Sequence, residues 1–219
     1  MKILIMGSGV VGVTTAYQLQ KDGHQVKVID RSPPGIGGAS FGNAGMIASG
    51  HTIAWGSPKA LKIWFNSFFK NNPVFRMKKD FDPQLFRWGI KFLLQCSSSN
   101  AKKNSLVKHN ISVYSQKILN DVCQETNIKF KRNSGGLMYL YRNSKVLESG
   151  YKTIQILKDA GQDLEMCDLR RTLEIIPELK DSDDKIAGGI FSKTDESGDS
   201  KIFTEKLAKI CEGMGCNFE

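Results

Sequence analysis

Apolar and polar positions change period several times along the chain, and each change marks an element. Residues 2 to 6 alternate toward a short buried strand with Ile3 and Ile5 on one side. In residues 10 to 22, Val13, Ala16, Tyr17 and Leu19 recur at helical spacing, and Gly23 supplies the stop. "QVKVID", 25 to 30, returns to a strand and closes a strand–helix–strand unit. Residues 31 to 56 are irregular and rich in Gly, Ser, Pro and Asn. A helical, basic and aromatic middle follows. Ser57-Pro58 reads as a cap and first-turn proline. Behind it Lys59, Lys62, Asn66 and Lys70 share one face, with Leu61, Trp64, Phe65 and Phe68 opposite. Asp82-Pro83 opens a second helix, "QLFRWGIKFLLQC". Residues 105 to 125 predict a long helix with Val107, Ile111, Tyr114, Ile118 and Val122 on one stripe.

The remainder alternates shorter pieces. Residues 128 to 143 predict a hairpin or two neighbouring strands, and 144 to 160 a helix ending at Gly161. A strand at 163 to 166, a short helix ending at Pro177 and a strand at 186 to 191 follow. The turn-rich "TDESGDSKIFT" leads into a last helix over about 203 to 213. There are no internal repeats and no low-complexity tracts.

Length and composition narrow the class. The 219 residues suit one large domain or two small ones. No apolar run reaches ~18 residues, so no membrane span is expected. "KILIMG" is too short for a secretory leader. Cys96, Cys123, Cys167, Cys211 and Cys216 show no CxxC spacing and read as idle thiols in a reducing compartment. His24, His51 and His109 are scattered and form no metal-ligand cluster. The net charge of +9 is concentrated, because residues 59 to 108 hold 11 Lys/Arg against only Asp80 and Asp82. Such an excess serves an acidic partner, nucleic acid, an anionic membrane surface or a solvated helical face. The segment carries no nucleic-acid-binding motif, so no nucleic-acid partner is expected.

Candidate chemistry begins at "GSGVVG". Gly7, Gly9 and Gly12 form G-x-G-x-x-G between a predicted strand and a predicted helix. Gly7 permits the tight turn, Gly9 lets the backbone approach a pyrophosphate, and Gly12 lets helix and strand pack. The helix N-terminus offers free amides and partial positive charge to phosphates. Asp30 closes the second strand, where its carboxylate can accept from a ribose hydroxyl and repel a 2′-phosphate. NAD and FAD share an adenosine diphosphate half, so this motif does not choose between them.

The second loop, "GGASFGNAG", departs from a simple NAD domain, which needs a third strand soon after Asp30; none is visible before about residue 128. Arg31 follows the acid directly, Ser40 offers a hydroxyl, and Asn43, Ala44 and Gly45 offer unhindered backbone. Together with "GSGVVGVTTAYQLQKDGHQVKVIDR", "ASFGNAGMIASG", "LKIWF", "PQLFRWGIKFLLQC", "GGLMYLY" and "DESGDSKIFT", these residues resemble the FAD-dependent amino-acid oxidase family, which includes glycine oxidase and sarcosine oxidase. The tryptophan-containing helices resemble its D-amino acid dehydrogenase branch.

The resemblance implies an α/β (α+β overall) fold. A Rossmann-like FAD-binding domain, residues 1–50 and 195–219, carries an inserted helical and β-sheet substrate domain, residues 51–194. It also implies FAD as cofactor. Amino acids, D-amino acids such as D-alanine, are oxidised by hydride transfer from the α-carbon. The imino acid then hydrolyses to a 2-oxo acid and ammonia, and the electrons pass to a quinone or carrier. Carried over position by position, the cofactor residues are Gly7, Gly9, Val10, Val11, Gly12, Asp30, Arg31, Ser40, Asn43, Ala44 and Gly45. No catalytic residue is assigned, which suits a reaction that needs orientation and a dry pocket more than an acid–base pair. His51 reads either as a substrate-facing residue or as an ordinary loop histidine. Ser200 stands where relatives often carry cysteine or proline.

Such relatives are about twice as long. Their later half adds strands and the arginine and tyrosine that grip a substrate carboxylate. The chain therefore reads as incomplete at its C-terminus: a truncated chain, a gene fragment, or one part of a split protein with a second chain supplying the rest. A further strand is expected to begin near "CEGMGCNFE". The alternative is a non-catalytic nucleotide-binding fragment or subunit that acts through a partner. The expected location is cytoplasmic, or peripheral on the inner face of a bacterial cytoplasmic membrane through residues 57–96. The aromatic stripe in that segment reads as core, partner surface or membrane surface.

Overall fold

In a computed structural model, residues 1–67 and 82–219 are described, and they form two units. The first comprises Met1–Ala48, Tyr114–Leu137 and Lys193–Glu219; the second comprises Ser49–Val113 and Met138–Ser192. Residues 114–137, which lie within the span assigned to the insertion, cluster with the first unit. The physical reason is Val122, Ile128 and Phe130, which sit in the first unit's core with Ile118 and Leu119 against it.

The first unit is built on strand β1 (Lys2–Met6), helix α1 (Val10–Lys21) and strand β2 (Gln25–Ile29). β1 and β2 run parallel, Ile3 opposite Val26 and Ile5 opposite Val28. This places the apolar positions of both strands on the face that α1 covers with Val13, Ala16 and Tyr17. A short helix α2 (Gly38–Phe41) and strand β3 (Met46–Ile47) occupy the irregular stretch.

Helices α3 (Pro58–Ser67), α4 (Pro83–Gln95) and α5 (Ser98–Thr126) follow. Asp82 caps α4 as its position before Pro83 suggests, accepting from the amides of Gln84 and Leu85. Lys70 and Phe68 of the expected amphipathic pattern lie outside the described residues.

The stripe expected on α5 holds only at its C-terminal end. Val122 is buried, but Val107, Ile111 and Tyr114 are 50%, 63% and 65% exposed. Ser105 and His109 are buried instead, each 3% exposed. The Ser105 hydroxyl accepts from the Ala54 amide at 2.9 Å, and His109 Nδ1 lies 3.1 Å from the Ser49 carbonyl. Buried polar side chains with such partners incur no unsatisfied desolvation.

Beyond α5, the expected hairpin is a single strand, β4 (Leu137–Tyr141). Its intended partner segment is broken by Asn127 and Lys131, both with positive φ, and among the described residues it makes one isolated β-bridge, Asn133 to Ser197. The second unit then continues through α6 (Ser144–Asp159), β5 (Leu164–Asp168), α7 (Leu169–Ile175) and β6 (Gly188–Ser192). Its sheet has the order β4-β6-β5, packed on Leu147, Leu157, Leu164 and Ile190.

Strand β7 (Glu196–Ser197), helix α8 (Ser200–Gly213) and strand β8 (Asn217–Phe218) return the chain to the first unit. α8 starts where Asp199 accepts from the Ile202 amide and packs Phe203, Leu207, Ala208 and Cys211 against α1. β8 pairs parallel with β2, Phe218 opposite Val28, giving a sheet of order β1-β2-β8. The strand expected near the end of the sequence is therefore present, and β2 takes its neighbour from there rather than from the residues after Asp30.

Candidate functional site: two glycine loops and an acidic strand end

The site grows from the end of β1. Gly7 has φ +109, and its amide donates to the Ile29 carbonyl at 2.8 Å, tying the turn to β2. A Cβ on Gly12 would overlap the Gly7 carbonyl oxygen, so helix and turn meet at a distance only glycine allows. α1 therefore starts immediately beneath the turn, and its first-turn amides have no helical acceptors.

Gly9 is the N-cap of α1 and provides no side-chain cap. The cap comes from the second loop. Ser40, buried on α2, accepts from the Val10 amide through its hydroxyl at 2.9 Å. A Cβ on Gly9 would lie 3.0 Å from that hydroxyl. Gly9 thus makes room for Ser40, a role its place in the motif did not suggest. With Val10 taken, the amides of Val11 and Gly12 are the ones an anion at this helix end would meet. Val11's side chain is exposed.

Asp30 stands at the end of β2 beside this turn. Its carboxylate accepts from the Ser8 amide at 2.6 Å, the Ser8 hydroxyl at 3.0 Å and the Ser32 amide at 3.2 Å. The Ser8 and Ser32 amides, with the Ser8 hydroxyl, hold the carboxyl below its ordinary range, so it is ionised at neutral pH. Asp30 is exposed, so its carboxylate oxygens are open to an outside donor. Ser8 is the residue that the motif's spacing concealed, because it occupies one of the variable positions. Arg31 is exposed next to Asp30.

The second loop leads away from Ser40 along a cleft of about 330 Å³. One wall is Ser40 to Gly45; the other is Lys131 and Ser197 to Lys201. Asn43 shapes the first wall, donating to the Ala39 carbonyl and accepting from the Gly45 amide at 2.7 Å. Asn43 and Ala44 are exposed. Gly45, at φ +61, crosses Gly198 so closely that a Cβ would overlap the Gly198 carbonyl oxygen. The Gly198 amide donates to the Gly45 carbonyl at 2.8 Å, and Met46 pairs with Ser197 in the antiparallel β3–β7 ladder. Gly198 in turn rests on the Phe130 ring. This crossing accounts for the glycine of "DESGD". Lys201 stands 5.2 Å from the Phe41 ring centre and 3.6 Å from Glu205.

Below the ladder, Arg132 bridges Glu196 and Asn120, and Gln116 donates to Glu196 at 3.2 Å. The Glu196 carboxylate holds the Arg132 guanidinium above its ordinary range. This part-buried pair braces β7 and is invisible to local pattern.

The structure thus gathers Gly7, Gly9, Val10, Val11, Gly12, Asp30, Ser40, Asn43, Ala44 and Gly45 in one unit, with Arg31 at its rim. His51 belongs to the second unit, where its ring stacks on Tyr139 at 4.9 Å.

Comparison with known proteins agrees in fold. A family model described as DAO, FAD dependent oxidoreductase, matches residues 2–219. D-amino acid dehydrogenase 2 of Mesorhizobium japonicum is 35% identical over 219 residues, covering 100% of this chain and 53% of the relative. D-amino acid dehydrogenase of Azorhizobium caulinodans is 35% identical over 222 residues, covering 100% and 52%. Among solved structures, glycine oxidase from Geobacillus kaustophilus superposes with TM-score 0.61 at 16% identity, over 99% of this chain and 45% of that one. Iminodiacetate oxidase from Chelativorans sp. BNC1 gives 0.62 at 16%, over 100% and 46%. The chain spans about half the length of the curated relatives it matches.

Proposed function

This chain belongs to the FAD-dependent oxidoreductase family, and from that premise we propose that it holds the adenosine diphosphate part of FAD for the oxidation of an amino acid. The single observation that carries the reading is the joined pair of loops, in which Ser40 caps α1 and the second loop runs on from that cap along a cleft. The residues fit the group. The end of α1 offers amides to a pyrophosphate, Asp30 is an ionised acceptor for a ribose hydroxyl, and Gly12 keeps the turn tight against the helix.

In this reading Gly7, Gly9 and Gly12 shape the phosphate cradle, and Val10 and Val11 open the helix end. Arg31 offsets phosphate charge from the rim. Ser40, Asn43, Ala44 and Gly45 carry the binding surface toward the flavin end. When bound, FAD supplies the acceptor for the hydride that leaves the amino-acid α-carbon, and the imino acid then hydrolyses to a 2-oxo acid and ammonia. The D-amino acid dehydrogenase relatives support a D-amino acid as substrate, and a quinone or carrier as electron acceptor is part of the same proposal. The chain's span of about half of those relatives supports the second reading, a nucleotide-binding part that acts with further polypeptide.

The test is anaerobic. The chain is mixed with FAD, freed of unbound flavin and given D-alanine, then L-alanine. Bleaching of bound flavin by D-alanine alone supports a D-amino acid dehydrogenase. Retained flavin that no amino acid bleaches favours the second reading.

A further inference from the structure

We propose that Cys211 and Cys216 form a dithiol switch, which a small disulfide oxidant closes into an intramolecular disulfide that staples the end of α8 to β8. The way α8 ends sets the geometry. Gly215, at φ +95, turns the chain back through left-handed backbone. The Cys216 amide then donates to the Cys211 carbonyl at 2.9 Å, and the Gly215 amide to the Glu212 carbonyl at 2.9 Å. These two bonds make a Schellman motif, which packs together the side chains of its two end residues. Here both end residues are cysteines, and both belong to the core of the first unit. The bond between the Cys211 carbonyl and the Cys216 amide also keeps the two α-carbons within about 6.8 Å, a separation that a disulfide spans. Cys96 and Cys167 belong to the second unit, and Cys123 lies on α5.

The two thiols differ in access. Cys211 is fully buried, with its sulfur 3.9 Å from the Val13 carbonyl of α1, whereas Cys216 keeps 6% exposure. Cys216 precedes β8, a short strand at the edge of the sheet, so fraying of β8 uncovers Cys216 first. The Cys216 thiolate attacks one sulfur of the small disulfide. That S–S bond breaks, one small thiolate leaves and takes up a proton, and a mixed disulfide remains on Cys216. The Cys211 thiolate displaces the second small thiol and closes the Cys211–Cys216 bond. In total the chain gives up two electrons and two protons, and the oxidant becomes two thiols. Burial, helped by charge on Cys216, pushes the Cys211 thiol up to about 12, and burial raises Cys216 as well. Few thiolates form at neutral pH, so the switch closes slowly. For the same reason the closed form resists reduction, because ionisation of the released thiols does not draw the reaction forward. Closure bears on the candidate site because β8 pairs with β2, and the Glu219 carbonyl accepts from the Asp30 amide at 2.9 Å.

The experiment treats the purified, reduced chain with oxidised glutathione at pH 7 and pH 8, alkylates it, digests it with trypsin and weighs the peptides. Ile210 to Glu219 follows Lys209 and carries both sulfurs on one peptide. The expected product is that peptide two hydrogens lighter and closed to alkylation, formed up to about tenfold faster at pH 8. The unfolding equilibrium constant of the oxidised chain in urea should be about tenfold lower or more. Cys211→Ala should stop at a glutathione mixed disulfide on Cys216, and Cys216→Ala should leave Cys211 unmodified. Four results would overturn the proposal: a parent peptide alkylated at both sulfurs, a mixed disulfide that persists on Cys216 of the parent, a bond to Cys96, Cys123 or Cys167, or an oxidised chain no more stable than the reduced one. The peptide mass is read on the parent chain, so the test survives a variant that does not fold. No flavin is present, so its failure is separate from that of the amino-acid oxidation reading.

Discussion

Gly9→Ala tests how the two loops are joined. Gly9 has φ −71 and ψ 179, a conformation alanine adopts freely, so the backbone gives no reason for glycine. The only obstacle is the Ser40 hydroxyl, 3.0 Å from the new Cβ. That hydroxyl can rotate away, but it then abandons the Val10 amide. Losing the cap and leaving a part-buried donor costs about 1–2 kcal/mol. Against this, alanine restricts the unfolded chain and returns about 0.4–1 kcal/mol. Gly9→Ala should therefore destabilise the native chain by about 0.5–1 kcal/mol. In a Ser40→Ala background the cap is already lost and the obstacle is gone, so the same change should stabilise by a similar amount. The coupling is about 1–2 kcal/mol. Urea unfolding followed by circular dichroism, at constant m-value, measures all four corners of the cycle. A coupling below about 0.3 kcal/mol would show that Ser40 does not cap α1.

Three other outcomes follow from the same geometry. Gly45→Ala combines a positive φ with overlap on the Gly198 carbonyl, so it should cost about 2–4 kcal/mol in thermal or urea unfolding. Glu196→Ala strands the part-buried Arg132 guanidinium and should cost about 2 kcal/mol, measured the same way. Burial, then the hydrogen bond to Glu125, pushes the Tyr17 hydroxyl up from 10.0 to about 12. The folded state thus favours the protonated form; its contribution is complete below pH 10 and lost as pH rises toward 12. Tyr17→Phe should flatten the alkaline fall in stability across that window, read from urea midpoints at successive pH values.

What the sequence made legible is local. The β1–α1–β2 unit needs only neighbours in the chain, so glycine positions and apolar spacing foretell it. Asp82 and Pro83 announce α4 in the same way. The α5 stripe fails because Ser105 and His109 find partners in Ala54 and Ser49, and periodicity does not see hydrogen bonds across such distances. The hairpin fails because the residues before β4 turn through left-handed backbone at Lys131, and Asn133 bridges to Ser197 instead. The candidate site divides likewise. Its glycines and Asp30 announce themselves, whereas Ser8's hold on Asp30, the Gly45–Gly198 crossing and the Arg132–Glu196 brace depend on residues far apart in sequence.

The central claim is that the joined loops and Asp30 hold FAD. Titration of the purified chain with FAD, read by flavin fluorescence and repeated with Asp30→Asn, tests it most directly. The account predicts saturable binding at one site, weakened about tenfold or more in Asp30→Asn because a charged acceptor for the ribose is lost. Absence of binding, or equal affinity in the two proteins, would contradict it.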